Sequence, residues 1–347
     1  MSTAAEPAIQ QWNVTEAYLN PHCGLGEGPY YEAATNSLRF VDIKKHRVHS
    51  VNLDQGPQSL STIQLDTPVG VTADVEGVDP RDKILIGAKY GIAVLDRKTG
   101  TYEYVARFEE KGNERLRSND GAVDPHGRFW QGAMTDFGYD VRDEEIQKEK
   151  KFNTTKGLVT NATGTSPFPF PGHLYLFDGS GRPAQSMRHP VAIPNSVGWS
   201  PDGRTMYFTS SRERTVYAWD YAAGEGGGRG EGGAGRLSNE RVFYRHEGPA
   251  EPDGFRVDTD GNLWHALYGG SRVLKISPAG EVVGQINLPT QNITCPQFVG
   301  TELFITTGSM EPGSGPDSAV ELGGALFRVE VGARGLEPFA FKLDNVK

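Results

Sequence analysis

The amino-acid sequence predicts an all-β protein, a six-bladed β-propeller with four-stranded antiparallel blades around a central channel. One observation is a hairpin pattern that recurs six times, starting at residues 27, 69, 119, 195, 253 and 294. A second is that one or two further strand patterns follow each hairpin. The third is the interval between copies, which is near the roughly 40–50 residues of a propeller blade. A large β-sandwich would not explain why the same residue types return at the same point of each hairpin.

The clearest hairpins lie at 119–130, 195–207 and 253–264. Each begins with a polar residue, runs as a short strand to Val or Trp, turns at a cluster containing Asp and Gly, and returns with an aromatic residue. Two short strands around such a turn are typical of a β-hairpin. Weaker copies complete the set of six at 27–41, 69–86 and 294–306.

Further strands are predicted outside the hairpins, at 47–52, 173–177, 215–219, 272–276 and 325–329. Residues 281–286 are predicted to form an outer edge strand. We expect one domain over residues 1–347, with ordered blades from about residue 20 to 345 and insertions at 137–171 and 224–235. The charged first insertion interrupts the third blade, as either a lid over a site or a solvated excursion. The Gly-rich second insertion is predicted to be a flexible surface loop.

Charge and composition exclude several partners. Lys and Arg number 35 against 44 Asp and Glu, a net charge of −9, which argues against nucleic acid or an anionic membrane surface as a partner. Two cysteines, Cys23 and Cys295, are too few for a disulfide scaffold; two free thiols are expected, with a single bridge between them as the alternative. Because no signal peptide and no apolar membrane span is visible, a cytoplasmic protein is predicted.

The residues that begin the inner strands are expected to face one channel mouth. Glu27, Asn119, Asn195 and Asp253 occupy this position in four of the six repeats. Carboxylate and amide oxygens suit Ca²⁺, Mg²⁺ or Mn²⁺, and carboxylates also accept Zn²⁺. Two carboxylates would neutralise a divalent ion, whereas without one they would repel each other. The pattern therefore predicts a metal or polyol site at the channel mouth.

Other polar residues are expected near the same rim. Arg117 precedes Asn119 by two positions and could bind an oxygen-rich substrate through several donors. Asp136 ends the second strand of the third blade and could accept hydrogen bonds from substrate hydroxyls. His46 and His49 are expected to be solvated on an exposed hairpin.

Several motifs, in this order, resemble the gluconolactonase/regucalcin family, also called senescence marker proteins. They are Gly-Glu-Gly-Pro at 26–29, Arg-Ser-Asn-Asp-Gly at 117–121, Asp-Pro-His-Gly-Arg-Phe-Trp-Gln-Gly-Ala-Met at 124–134, Pro-Asn at 194–195, Ser-Pro-Asp-Gly-Arg-Thr-Met-Tyr at 200–207, Pro-Asp-Gly at 252–254 and Thr-Cys-Pro-Gln-Phe at 294–298. Members are six-bladed propellers that bind one divalent metal and often hydrolyse sugar lactones. The resemblance implies that Glu27, Asn195 and Asp253 are metal ligands, and that Arg117 and Asn119 contact the substrate.

The resemblance implies a metal-dependent lactonase that converts an aldonolactone to its hydroxy acid. The metal, with calcium as the first expectation and zinc, manganese or magnesium as alternatives, would polarise the carbonyl. Asp253 would be both ligand and base for the attacking water. Ser118 and Phe137 depart from the family pattern, where an aromatic residue and, in some members, an acidic contact are found. A phosphotriesterase-like or other ester hydrolase, or a non-catalytic calcium-binding propeller, stays open.

Overall fold

The computed structural model describes residues 9–108, 114–137, 172–222 and 236–344. In these ranges six antiparallel sheets form the blades, which confirms the predicted six-bladed β-propeller. Each innermost strand contacts the innermost strands of both neighbouring blades, so the sheets close into a ring. The predicted insertions lie outside the described residues, apart from Phe137.

The strands follow the chain from the channel outward in each blade. Blades 1 to 3 comprise Gly26–Glu32, Ser37–Asp42, Arg47–Asn52 and Ser61–Gln64; Val69–Ala73, Lys83–Ala88, Gly91–Asp96 and Tyr102–Arg107; and Leu116–Val123, Phe129–Thr135, Gly172–Phe177 and Gln185–Val191. Blades 4 to 6 comprise Pro194–Trp199, Thr205–Ser210, Thr215–Ala222 and Arg236–Arg245; Glu251–Val257, Leu263–Tyr268, Arg272–Ile276 and Val282–Asn287; and Ile293–Val299, Glu302–Thr307 and Phe327–Glu330. A short α-helix, Asp317–Glu321, and two 3₁₀ turns, Ala33–Thr35 and Pro57–Ser59, lie between strands.

Apolar side chains fill the spaces between blades. Each of the six interfaces holds a buried cluster, for example Val71 and Leu85 of blade 2 against Phe129 and Phe177 of blade 3. Alternate residues of each strand face the two neighbouring blades, so each blade presents apolar residues on both of its faces. This inter-blade packing is the core of the protein and holds the inner strands in place.

The N-terminal segment closes the ring, an arrangement that the repeat pattern does not predict. Strand Gln10–Asn13 pairs in parallel with Val282–Asn287 as a fifth strand of blade 5. The outer strand predicted at 281–286 is present as Val282–Asn287, but the prediction that it lies at the edge of the sheet is wrong, because the N-terminal strand covers it. Leu19 then bridges Leu326 beside blade 6, whose sheet has three strands among the described residues where four were predicted.

Two predictions about side chains have different outcomes. Cys23 and Cys295 are free thiols, as predicted, and both are buried. His49, expected in solvent, is only 3% exposed and packs against Phe40, so that prediction is wrong. It faces the interface of blades 1 and 6, whereas Lys44 and Lys45 of the same hairpin are exposed. In the part of the chain that the structure describes, no helix has the length and hydropathy to cross a membrane.

Candidate active site at the mouth of the central channel

A β-bulge or irregular register interrupts the pairing near the start of every innermost strand. The shift lies between Ser118 and Gly121 in blade 3, between Pro194 and Val197 in blade 4, and between Pro252 and Phe255 in blade 5. Bulges bend a strand locally and re-aim its side chains. Here they contain the residues that the repeat pattern selected, which explains how those side chains leave the sheet plane and enter the channel.

The structure brings Glu27, Asn119, Asn195 and Asp253 to one cavity of about 270 Å³, which Arg117 also lines. The first four side chains belong to four different blades and are each at most 7% exposed. Neither Val69 nor Thr294, the other two residues of the repeat phase, lines this cavity. The predicted site residues, apart from Asp136, therefore line one small cavity.

Hydrogen bonds fix the two amides. Asn195 Nδ2 donates to Asp253 Oδ1 and to Ser211 Oγ at 3.2 Å. Asn119 Nδ2 donates to the Pro194 carbonyl at 2.9 Å. The buried Asn195 Oδ1 has no hydrogen-bond partner among the described residues. An unmatched buried acceptor is costly, and a bound cation would satisfy it.

Three buried carboxylates repel one another: Glu27 and Asp253, which line the cavity, and Asp120, which does not line it. Burial raises the pKa of Glu27 well above its usual range, and the charges of Asp253 and Asp120 raise it further. Burial, and then the charge of Asp120, does the same to the pKa of Asp253. Asp120 also has a pKa raised by burial, offset in part by the guanidinium of Arg256. A divalent cation would relieve this repulsion, so the donor set fits a hard metal ion.

The repeat pattern selects Asn119 and not its neighbour Asp120. It follows Asn119 in the repeat, where the other copies have small residues such as Gly28, Gly70 and Gly254. A carboxylate at a position that is otherwise small could have indicated a role for Asp120 at the site, but Asn-Asp-Gly is also a common turn sequence. Asp120 Oδ1 accepts the Gly121 N–H at 2.7 Å, and its Oδ2 is buried with no partner among the described residues.

Arg117 is held from both sides. One guanidinium nitrogen donates to Asn119 Oδ1 at 3.0 Å, and Nε lies 3.7 Å from Asp136 Oδ1. The Phe137 ring centroid is 4.2 Å from the guanidinium carbon, a cation–π geometry. Burial lowers the pKa of Arg117 to about 10, so it remains cationic at neutral pH.

Asp136 is the one predicted site residue that the structure places outside the cavity. Its carboxylate pairs with Lys89 Nζ at 3.0 Å and lines an adjoining pocket of about 590 Å³. From this pocket Asp136 contacts Arg117, and it does not line the cavity where Glu27, Asn195 and Asp253 meet. Its position favours orienting the guanidinium over direct contact with a substrate.

Comparisons with known proteins show the family of the chain. The model of the SMP-30/Gluconolactonase/LRE-like region matches residues 25–309. The chain belongs to this family. Among curated members it is 28% identical to regucalcin of Pongo abelii, over 94% of this chain and 97% of that one. It is 29% identical to pentonolactonase XacC of Haloferax volcanii, over 92% and 96%. A solved calcium-binding regucalcin from Agrobacterium tumefaciens shares the fold, with a TM-score of 0.76, 21% identity and coverage of 97% and 100%.

Proposed function

We propose that this chain is a metal-dependent lactonase that hydrolyses a sugar lactone to its hydroxy acid. The observation that carries the proposal is the meeting of Glu27, Asn195 and Asp253 in one cavity, where the Asn195 Oδ1 has no hydrogen-bond partner among the residues that the structure describes. Membership of the gluconolactonase-containing family and the similarity to a pentonolactonase support a lactone substrate. A cavity of about 270 Å³ is small beside the roughly 300–1,000 Å³ of drug-sized pockets, which suits a monocyclic lactone.

Glu27, Asn195 and Asp253 would hold the metal. A divalent cation bound there supplies Lewis acidity toward the lactone carbonyl and charge stabilisation for the developing oxyanion. The all-oxygen donor set favours calcium, magnesium or manganese, and carboxylates also accept zinc. The similarity to proteins named regucalcin makes calcium the first metal to test.

The chain itself would move one proton and orient the ring. Asp253 accepts a proton from water, and the water oxygen forms a bond to the carbonyl carbon. The ring C–O bond then breaks, and its oxygen leaves as a hydroxyl by taking back that proton. Arg117 and Asn119, joined by a hydrogen bond, would orient the substrate oxygens, with Asp136 positioning Arg117. No electron donor or acceptor is needed.

A panel of glucono-, galactono-, xylono- and rhamnonolactone tests the proposal. The protein is stripped with chelator and reloaded separately with Ca²⁺, Mg²⁺, Mn²⁺ or Zn²⁺. We expect turnover only after reloading, with a loss of at least about 100-fold in Asp253→Asn. Asp260→Asn, an exposed acid of the same blade, serves as the matched control and should keep full turnover.

Two results would overturn the proposal. Full turnover by the stripped protein would remove the metal dependence. Metal binding that is measured by calorimetry and lost in Asn195→Ala, but is accompanied by no turnover of any lactone, would refute the lactonase activity.

The apolar part of the cavity wall, which includes Leu25, Met134 and Phe137, favours an ester hydrolase with a less polar substrate as the second candidate. A phosphotriester in the same panel tests it. The cytoplasmic location stays a prediction.

A further inference from the structure

A second cluster of metal-type donors is formed by residues that do not line the channel cavity. Cys23, Asp42 and His49 each offer one ligand atom, and the three atoms lie within 4.8 Å of one another. The residues are 1%, 0% and 3% exposed. None of them lines the channel cavity described above. Sulfur, nitrogen and oxygen donors at this spacing differ in kind from the all-oxygen set of the channel.

The imidazole of His49 is oriented and incompletely satisfied. Its Nδ1 lies 2.8 Å from Thr62 Oγ1, which leaves Nε2 as the available nitrogen. Nε2 is buried and has no hydrogen-bond partner within the described ranges. Burial lowers the pKa of His49 to about 4, so the ring is neutral at neutral pH. A neutral imidazole fixed through one nitrogen is the form in which histidine binds metals.

The other two donors are also held in place. Asp42 Oδ2 accepts the Gly24 N–H at 2.8 Å, and Oδ1 accepts those of Leu25 and Lys45, both at 3.1 Å. These three bonds leave capacity on a carboxylate, which offers about four acceptor positions. Burial raises the pKa of the Cys23 thiol, so metal binding would release its proton.

We propose that Cys23, Asp42 and His49 form a second metal site, which binds a zinc-class ion and is separate from the oxygen site of the channel. Zinc takes thiolate, imidazole and carboxylate together in a tetrahedral shell, which one solvent molecule would complete here. Calcium disfavours such a set because it binds oxygen ligands. The site does not depend on the lactonase activity.

The position of the cluster assigns it a role. Cys23 lies in the segment that closes the ring, where its N–H donates to the Gly324 carbonyl beside blade 6 at 3.0 Å. Asp42 and His49 lie on two neighbouring strands of blade 1. A metal bound to all three would cross-link the closing segment to blade 1. The site would therefore stabilise the seam of the propeller.

Cobalt(II) titration of the chelator-stripped full chain, with calcium present to occupy the channel, tests the site. Cobalt bound to a thiolate gives a near-ultraviolet charge-transfer band that oxygen ligands do not give. We expect this band in the wild type, in Asp253→Asn and in Cys295→Ser, and its loss in Cys23→Ser. Cys295 is the matched control because it is equally buried but contacts Arg256 at 3.4 Å instead.

Thermal unfolding provides the second measurement. Zinc should raise the Tm of the calcium-saturated wild type by several degrees, because a ligand that binds only the folded state stabilises it. The zinc-induced shift in Tm should vanish in Cys23→Ser and in His49→Gln. If one of these variants does not fold, the other is enough to test the site. Absence of the cobalt band in the wild type, its loss in Cys295→Ser instead of Cys23→Ser, or an equal zinc shift in His49→Gln would overturn the proposal.

Discussion

Gly70 occupies a point where two blades meet next to the candidate active site. It lies in the innermost strand of blade 2, and its N–H donates to Ser118 Oγ at 3.2 Å. A Cβ at this position would be 2.3 Å from the Asn119 carbonyl oxygen, whereas real Cβ contacts essentially never fall under 3.0 Å. Asn119 is the residue proposed to orient the substrate.

The Gly70→Ala substitution should therefore reduce both stability and turnover. The contact must lengthen from 2.3 Å to at least 3.0 Å, a shift of about 0.7 Å, and the opposing atom is backbone rather than a flexible side chain. Overpacking of this kind costs about 1–3 kcal/mol. A misplacement near 1 Å can lower a rate by up to about 100-fold. We expect lost stability in this range and a kcat lowered by at least about tenfold.

Urea unfolding and lactone turnover, measured on the calcium-loaded protein, test this prediction. Gly315→Ala is the control, because its Cβ would meet only the movable ends of Met310 and Gln291, at 3.0 and 3.1 Å. Wild-type stability and turnover in Gly70→Ala would refute the reasoning. Lost stability with unchanged kcat would refute only the role given to Asn119.

Three further predictions concern stability, each measured by urea unfolding. The pKa of His49 is about 4 in the folded protein against an ordinary 6.5, so the unfolded chain binds more protons between these values. In metal-free protein, stability should fall as the pH drops from 6.5 toward 4, by up to about 3 kcal/mol, and His49→Gln should flatten this decline. Arg39→Met should cost about 3 kcal/mol, because buried Arg39 pairs with Glu32 and Asp74, both at 2.6 Å. Trp12→Ala should cost about 2 kcal/mol, because the Trp12 ring packs on Trp264 of blade 5 with a distance of 5.2 Å between the ring centroids. This is less than the roughly 3–5 kcal/mol for a fully buried ring, because Trp12 is only half-buried. Unchanged midpoints, or an unchanged acid profile in His49→Gln, would contradict these expectations.

The sequence contained enough information to predict the ring and the innermost strands, because each blade is built from local hairpins with recognisable turns. It did not predict Gln10–Asn13, since the partner strand, Val282–Asn287, is distant in the sequence and no local pattern signals such a pairing. The burial of His49 was missed for a related reason. The hairpin that carries it has lysines at its turn, but the histidine itself is buried at the interface with blade 6.

The candidate site was predictable in outline and not in its electrostatics. The repeat phase selected Glu27, Asn119, Asn195 and Asp253, and the structure places them around one cavity. Their catalytic and metal-binding roles stay predictions. The depth at which Asp120 lies, and the displacement of Asp136 into the adjoining pocket, depend on the bulges and on packing between blades. Neither is visible in one-dimensional spacing.

The N-terminal strand of blade 5 also constrains the order of events during synthesis. Its pairing with Val282–Asn287 cannot form until that part of the chain has been made. At about 5–20 residues per second, the ribosome needs roughly 15 to 55 seconds to translate the chain between these two strands. Throughout that interval Gln10–Asn13, including Trp12, has no strand to pair with, while the earlier blades can already assemble from local hairpins. Ring closure is therefore a late, non-local step of folding, and the nascent chain must keep its first strand free of other partners until then.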